Sequence, residues 1–133
     1  MDMKKDNNRK FHRISFDGQA NLDFINGNYT CCQIQNLSLT GMYVSGNFLL
    51  HQQKNCSIRI FHKDKSGNNS LQVNGEVVWS NDEGAGVRFT SMALEYYILL
   101  QTTLISKAER PEIILREFPH SYPFEVHELI RAC

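Results

Sequence analysis

The chain has 133 residues, with 14 Lys+Arg against 14 Asp+Glu and a formal net charge of zero. That length suits one compact domain, or one domain with a short extension, able to hold a core without metals or disulfides. A composition 41% hydrophobic and 21% charged excludes a mainly disordered or collagen-like chain, and the neutral sum speaks against a dedicated polyanion binder.

The zero is a cancellation. Residues 1–13 carry Lys4, Lys5, Arg9, Lys10 and Arg13 against Asp2 and Asp6, a balance of +3 that leaves −3 on residues 14–133. This basic arm lacks apolar periodicity, so it is expected to be mobile when nothing holds it. No apolar run of the secretory kind follows its charges, and no stretch approaches the ~18 apolar residues of a membrane span. A cytoplasmic protein without a membrane span is expected.

From Ile14 to Phe89 the pattern is short strands between turns. Asn26-Gly27-Asn28, Thr40-Gly41, Ser45-Gly46-Asn47, Ser66-Gly67-Asn68-Asn69 and Asn81-Asp82-Glu83-Gly84 supply the turn chemistry. Between them lie segments 14–24, 29–37, 42–45, 56–62, 71–80 and 85–90. In the fourth, Cys56, Ile58 and Ile60 alternate with Ser57, Arg59 and Phe61, while Asn74-Gly75 in the fifth marks a bulge. Six such strands predict a mainly β fold, a six-stranded antiparallel barrel, because closure removes exposed edges. The period then lengthens, and Leu94 to Leu104 reads as a helix with Tyr96, Leu99, Leu100, Thr103 and Leu104 on its apolar face. Pro111 opens a short helix over 112–118, and a last one is expected over 124–131. The organisation is thus an arm over 1–13, a barrel over 14–91 and a helical extension over 92–133.

Catalytic signatures are missing. No G-x-S-x-G or Walker A loop occurs, and Gly84-Ala85-Gly86 lacks the third glycine of G-x-G-x-x-G. His12, His51, His62, His120 and His127 are scattered, and are read as surface or hydrogen-bonded side chains. Cys31, Cys32, Cys56 and Cys133 have no C-x-x-C spacing and are read as small buried apolar residues in a reducing compartment. Neither an enzyme nor a metal site is expected.

What stands out is Arg9-Lys10-Phe11-His12-Arg13, an R-x-x-x-R where the arm meets the first strand. Asn36-Leu37-Ser38-Leu39-Thr40-Gly41 follows it along the chain. On a strand, Asn36 and Ser38 project to one face while Leu37 and Leu39 point inward, and Gly41 tolerates positive φ and close approach of a ligand. A short amide, a hydroxyl and bare backbone make a polar shelf over which two arginines can close.

Each half is weak alone. In this order, followed by strands and a helix, they resemble the PilZ domain, a bacterial receptor module for cyclic di-GMP, whose pattern is R-x-x-x-R followed by [D/N]-x-S-x-x-G. Gly75 to Trp79 and Gly84 to Phe89 also look like that family's last two strands, and the resemblance covers residues 9–105. It implies that Arg9 and Arg13 contact phosphate and guanine, and that Asn36, Ser38 and Gly41 form the base-recognising shelf. The chemistry agrees, because guanidinium can fork onto a phosphate or the guanine O6/N7 edge and stack on a purine. Trp79 belongs either beside the guanine, as the resemblance suggests, or in the core. Asn8 and Lys10 flank Arg9 where some relatives carry further arginines, which leaves one ligand or a stacked pair open.

The expected function is therefore a cyclic di-GMP receptor or adaptor whose arm wraps over the shelf and changes the surface offered to a downstream protein. Ordering costs about 1 to 2 kcal/mol per residue, so several charge-assisted contacts must form together. Two rivals stand beside it. One is a small-barrel single-stranded nucleic-acid binder, which the acidic body disfavours; the other is a PilZ adaptor that has lost its ligand.

Overall fold

The computed structural model describes residues 11, 13–48, 53–64, 67–118 and 122–128. Six strands, β1 (Ile14–Phe24), β2 (Gly27–Leu37), β3 (Gly41–Ser45), β4 (Asn55–Asp64), β5 (Gly67–Ser80) and β6 (Gly84–Ala93), pair antiparallel in the order β3-β2-β1-β4-β5-β6. Pairing of β3 with β6 closes the ring, so the expected six-stranded barrel forms.

Period-two alternation drives it. Along β1, Ile14, Phe16, Ala20, Leu22 and Phe24 are buried while Ser15, Asp17, Gln19 and Asp23 face solvent. Cys56, Ile58 and Ile60 enter the core from β4 as their spacing predicts, with Arg59 and Phe61 outside. The barrel interior is filled by such side chains, among them Ile34, Leu37, Met42, Val44, Leu71, Val87 and Phe89. Full burial of one of them contributes about 1.5 to 3 kcal/mol, so the alternation fixes strand register.

Five register shifts interrupt the described ladders, two between β1 and β2, one between β2 and β3 and two between β5 and β6. In β2 an extra residue faces β1 between Tyr29 and Cys32, and Cys31 sits there at φ 55 with its N–H donating to Asn21 Oδ1 at 2.8 Å. Cys31 is exposed, contrary to its reading as a buried apolar residue, because along β2 it alternates with the buried Cys32 and Ile34. The ladder also shifts at Asn74-Gly75, where the extra residue is Thr90 of β6, and again after Val77, where Val78 of β5 is the extra one.

The chain leaves β6 directly into α1 (Leu94–Lys107), which buries Tyr97, Leu100, Thr103 and Leu104. The buried stripe is thus centred on Tyr97 rather than Tyr96, which with Leu99 is half-buried at its margin. After α2 (Pro111–Glu117), the expected last helix is replaced over its described part by a strand, β7 (Glu125–His127). β7 runs parallel to β6 along Ser91 to Ala93, beyond the residues of β6 that β3 occupies. That stretch of edge offers unpaired backbone groups, and three residues with Val126 turned inward satisfy it better than a helix would. Residues 129–131 lie outside the described part.

His62 is a further departure from the sequence reading. It is buried, packs edge-on against Phe16 with ring centroids 5.6 Å apart, and neither ring nitrogen has a hydrogen-bond partner. An orphaned polar group of this kind costs about 1 to 3 kcal/mol. His62→Phe, which keeps a ring against Phe16, is expected to raise the urea midpoint by the equivalent of about 1 kcal/mol.

The cysteines give a second prediction. Burial, helped by the Asp23 carboxylate, pushes the Cys56 thiol up to about 12, and burial likewise raises that of Cys32. From an ordinary value of 9.0 upward, the unfolded chain loses a proton that the folded chain keeps. This contribution to stability is complete below pH 9 and is lost as pH climbs towards 12. Iodoacetamide mapping should label Cys31 in native buffer but Cys32 and Cys56 only in urea. In Cys56→Val the alkaline fall of the urea midpoint should be shallower.

Candidate functional site

Of the two motifs, the second is entirely described, and Arg13 and Phe11 are described from the first; Arg9 and His12 lie outside the described residues. Arg13 immediately precedes β1, and β1 pairs with β2 so that Ser15 stands opposite Asn36. This register carries the Arg13 guanidinium to Asn36, where Nη1 donates to Oδ1 at 3.1 Å. Two residues 23 apart in sequence thereby share one patch of barrel surface.

The rest of the shelf differs from the strand reading. β2 ends at Leu37, so the alternation that would place Ser38 beside Asn36 has already lapsed. Ser38 is only 2% exposed. Its hydroxyl accepts from the N–H of Gly41 at 3.2 Å and of Thr40 at 3.3 Å, and donates to the Gly41 carbonyl at 3.3 Å. The Ser38 side chain holds the turn together from inside. Leu37 and Leu39 are buried as expected.

Gly41 also acts differently from the expectation of a positive φ. Positive φ among the described glycines belongs to Gly46, at 151°. At Gly41 the constraint is close approach, since a Cβ there would collide with the Val87 carbonyl oxygen of β6. The Thr40 carbonyl accepts from Phe89 N–H at 2.8 Å just beside it. Motif and barrel seam are therefore the same backbone.

Outward from Asn36 the register continues across three strands. Asn36 pairs with Tyr43 of β3, Tyr43 with Gly86 of β6, and Gly86 with Trp79 of β5. Simple alternation from Val73, Gly75 and Val77 would point Trp79 into the core, but the bulge at Val78 reverses its direction and leaves it 47% exposed. Its indole lies against Gly86, where any Cβ would strike Nε1, and the Tyr43 ring lies against Gly84 in the same way. The two rings stack at 5.3 Å with planes 31° apart. Gly84 and Gly86 are thus the trough in which a half-exposed aromatic pair rests.

Tyr43 was missed in the sequence reading. The signal available was an aromatic residue on the strand entering the seam, matched by glycines spaced two apart on the strand that closes it. Beside the pair, Arg88 of β6 is engaged by Glu76 of β5, through both Nε and Nη2 to Oε1. Among the described residues, no group of three or more His, Cys, Asp or Glu is placed to hold a metal, and no helix is long and apolar enough to cross a membrane.

The family model of the PilZ domain matches residues 7–106, a span that holds both motifs and all six barrel strands. The chain belongs to the PilZ domain family. A solved structure of the Bacillus subtilis inhibitor of motility, MotI/DgrA, superposes with a TM-score of 0.62 at 13% sequence identity. The alignment covers 74% of this chain and 50% of that one, so this PilZ chain spans half the length of that neighbour, and what the likeness shows is the fold. No curated protein matches the sequence.

The aromatic trough of this PilZ domain is open to test through its single tryptophan. Gly86→Ala forces the indole off the strand, at a cost of about 1 to 3 kcal/mol for overpacking. The emission maximum of Trp79 is expected to move to longer wavelength. An unchanged spectrum would mean that the ring does not rest on Gly86.

Proposed function

We propose that this PilZ domain is a receptor for cyclic di-GMP, in which the arm bearing Arg9 and Arg13 closes over the Asn36 shelf. The surface it offers to a downstream protein changes as a result. The observation that carries this reading is the contact between Arg13 and Asn36, which unites the two family motifs at one place on the barrel. A guanidinium beside a short amide suits a guanine edge next to a phosphodiester. The arginine supplies forked donors, and the amide supplies one donor and one acceptor.

In this reading Asn36 displays polar atoms to the base, while Ser38 and Gly41 act beneath it by fixing the turn that positions them. That division follows from the burial of the Ser38 hydroxyl and the approach of Gly41 to Val87. Trp79 and Tyr43 form the far wall, where a purine face can meet aromatic surface. The Arg13 to Asn36 bond is exchanged for contacts to the ligand, so shelf and arm are held near their bound arrangement beforehand. The protein works as a cytoplasmic adaptor, with no reaction performed on the dinucleotide.

Titration calorimetry with cyclic di-GMP tests the assignment. Loss of a hydrogen bond to a charged group costs about 1.5 to 3 kcal/mol, so Arg13→Ala should bind at least about tenfold more weakly than wild type. Equal affinity of the two proteins, with unchanged thermal midpoints, would overturn the reading.

A further inference from the structure

On the other side of Asn36 from Tyr43 lies Ser15 of β1, and beyond it the first residues of β1 face the corner between α1 and α2. They enclose a cavity of about 490 Å³. That size falls within the roughly 300 to 1,000 Å³ of small-molecule sites. Arg13 belongs to both places, since it lines the cavity and bonds Asn36 on the shelf. The two are therefore one continuous surface.

The cavity's chemistry is specific. Arg13, Lys107 and Arg110 bring three cations to its wall against one carboxylate, Glu109, while Ile14 and Ile113 line it with aliphatic surface. Arg110 Nε lies 3.5 Å from Glu112 Oε1, but the Arg110 side chain is 72% exposed and that of Glu112 47%, and such a surface pair is weak enough to leave the guanidinium available. A cationic wall joined to an aliphatic one fits a phosphodiester bonded to a flat heterocycle. It fits an acidic peptide less well, because the carboxylates of a peptide bring no apolar face.

We propose that this cavity is a second anion subsite, in which Lys107 and Arg110 contact a phosphodiester of cyclic di-GMP and Ile113 underlies the attached purine. The inference rests on the reading of the Arg13 and Asn36 shelf as a dinucleotide site, and extends it onto the helical pair. The phosphodiester belongs either to the far half of the molecule on the shelf or to a second molecule stacked on the first. Lys107 also stands in the last turn of α1, where a cation opposes the partial negative charge of the helix end. A supporting role of that kind alone would alter stability without altering ligand uptake.

Titration calorimetry of the full chain with cyclic di-GMP separates these possibilities. It compares wild type, Arg13→Ala, Glu109→Gln and the double variant Lys107→Gln/Arg110→Gln. The double variant is expected to lose about tenfold or more in affinity at constant stoichiometry if the far half of one molecule occupies the cavity. A fall from two equivalents to one identifies a second molecule. Glu109→Gln, which removes the opposing carboxylate, should tighten binding about threefold. Unchanged affinity and stoichiometry in the double variant, beside weakened binding in Arg13→Ala, would overturn the subsite and leave the shelf standing. Absence of binding by wild type would remove both.

Discussion

The β3 to β6 seam is the constraint on which this PilZ domain depends. Without it the sheet would end in two open edges, and the row that starts at Asn36 would stop at Tyr43, short of Gly86 and Trp79. The seam is unusually close at both ends. Gly41 faces the Val87 carbonyl at one end, and Gly84 faces the Val44 carbonyl at the other, with room at neither for a side chain. Hydrogen-bonded closure and backbone approach therefore come from the same two positions.

That closeness reassigns the work within the N-x-S-x-x-G motif. Its glycine joins two strands and its serine ties the turn from within, so most of the motif shapes backbone while Asn36 presents the side chain. An arginine at the entry to β1 then reaches Asn36 because strand pairing, rather than sequence proximity, sets their distance. The outer row runs from the cationic corner at Lys107 and Arg110, through Ser15 and Asn36, to the Tyr43 and Trp79 rings. Charge lies at one end and aromatic surface at the other. A whole-chain charge of zero conceals that polarity completely.

The barrel was legible because burial has a period that sequence records. Ile14 to Phe24 and Cys56 to Ile60 could be assigned inward or outward residue by residue, and the turn residues marked where each run stopped. What escaped was decided by single insertions and by edges. One extra residue, Val78, reversed the direction of Trp79. Ser38 followed strand parity on paper but sits one residue past the strand's end. The segment around Val126 looked helical because three residues carry too little periodicity to declare a strand; the vacant edge of β6 made the choice. The two site motifs were readable as a pair, whereas Tyr43 and the α1 to α2 corner required knowledge of which strands and helices become neighbours.

β7 has a mechanical consequence. The α1 and α2 excursion departs from Ala93 of β6 without a loop and comes back to the same three residues through β7. Its two ends are riveted to one strand, like the ends of a bail handle on a bucket. Such a part can rock about its fixings, but it cannot swing free of the barrel unless the β7 ladder is first unzipped. Force applied at the α1 to α2 corner is consequently delivered back to Ser91, Met92 and Ala93, at the end of β6 remote from the Gly84 trough.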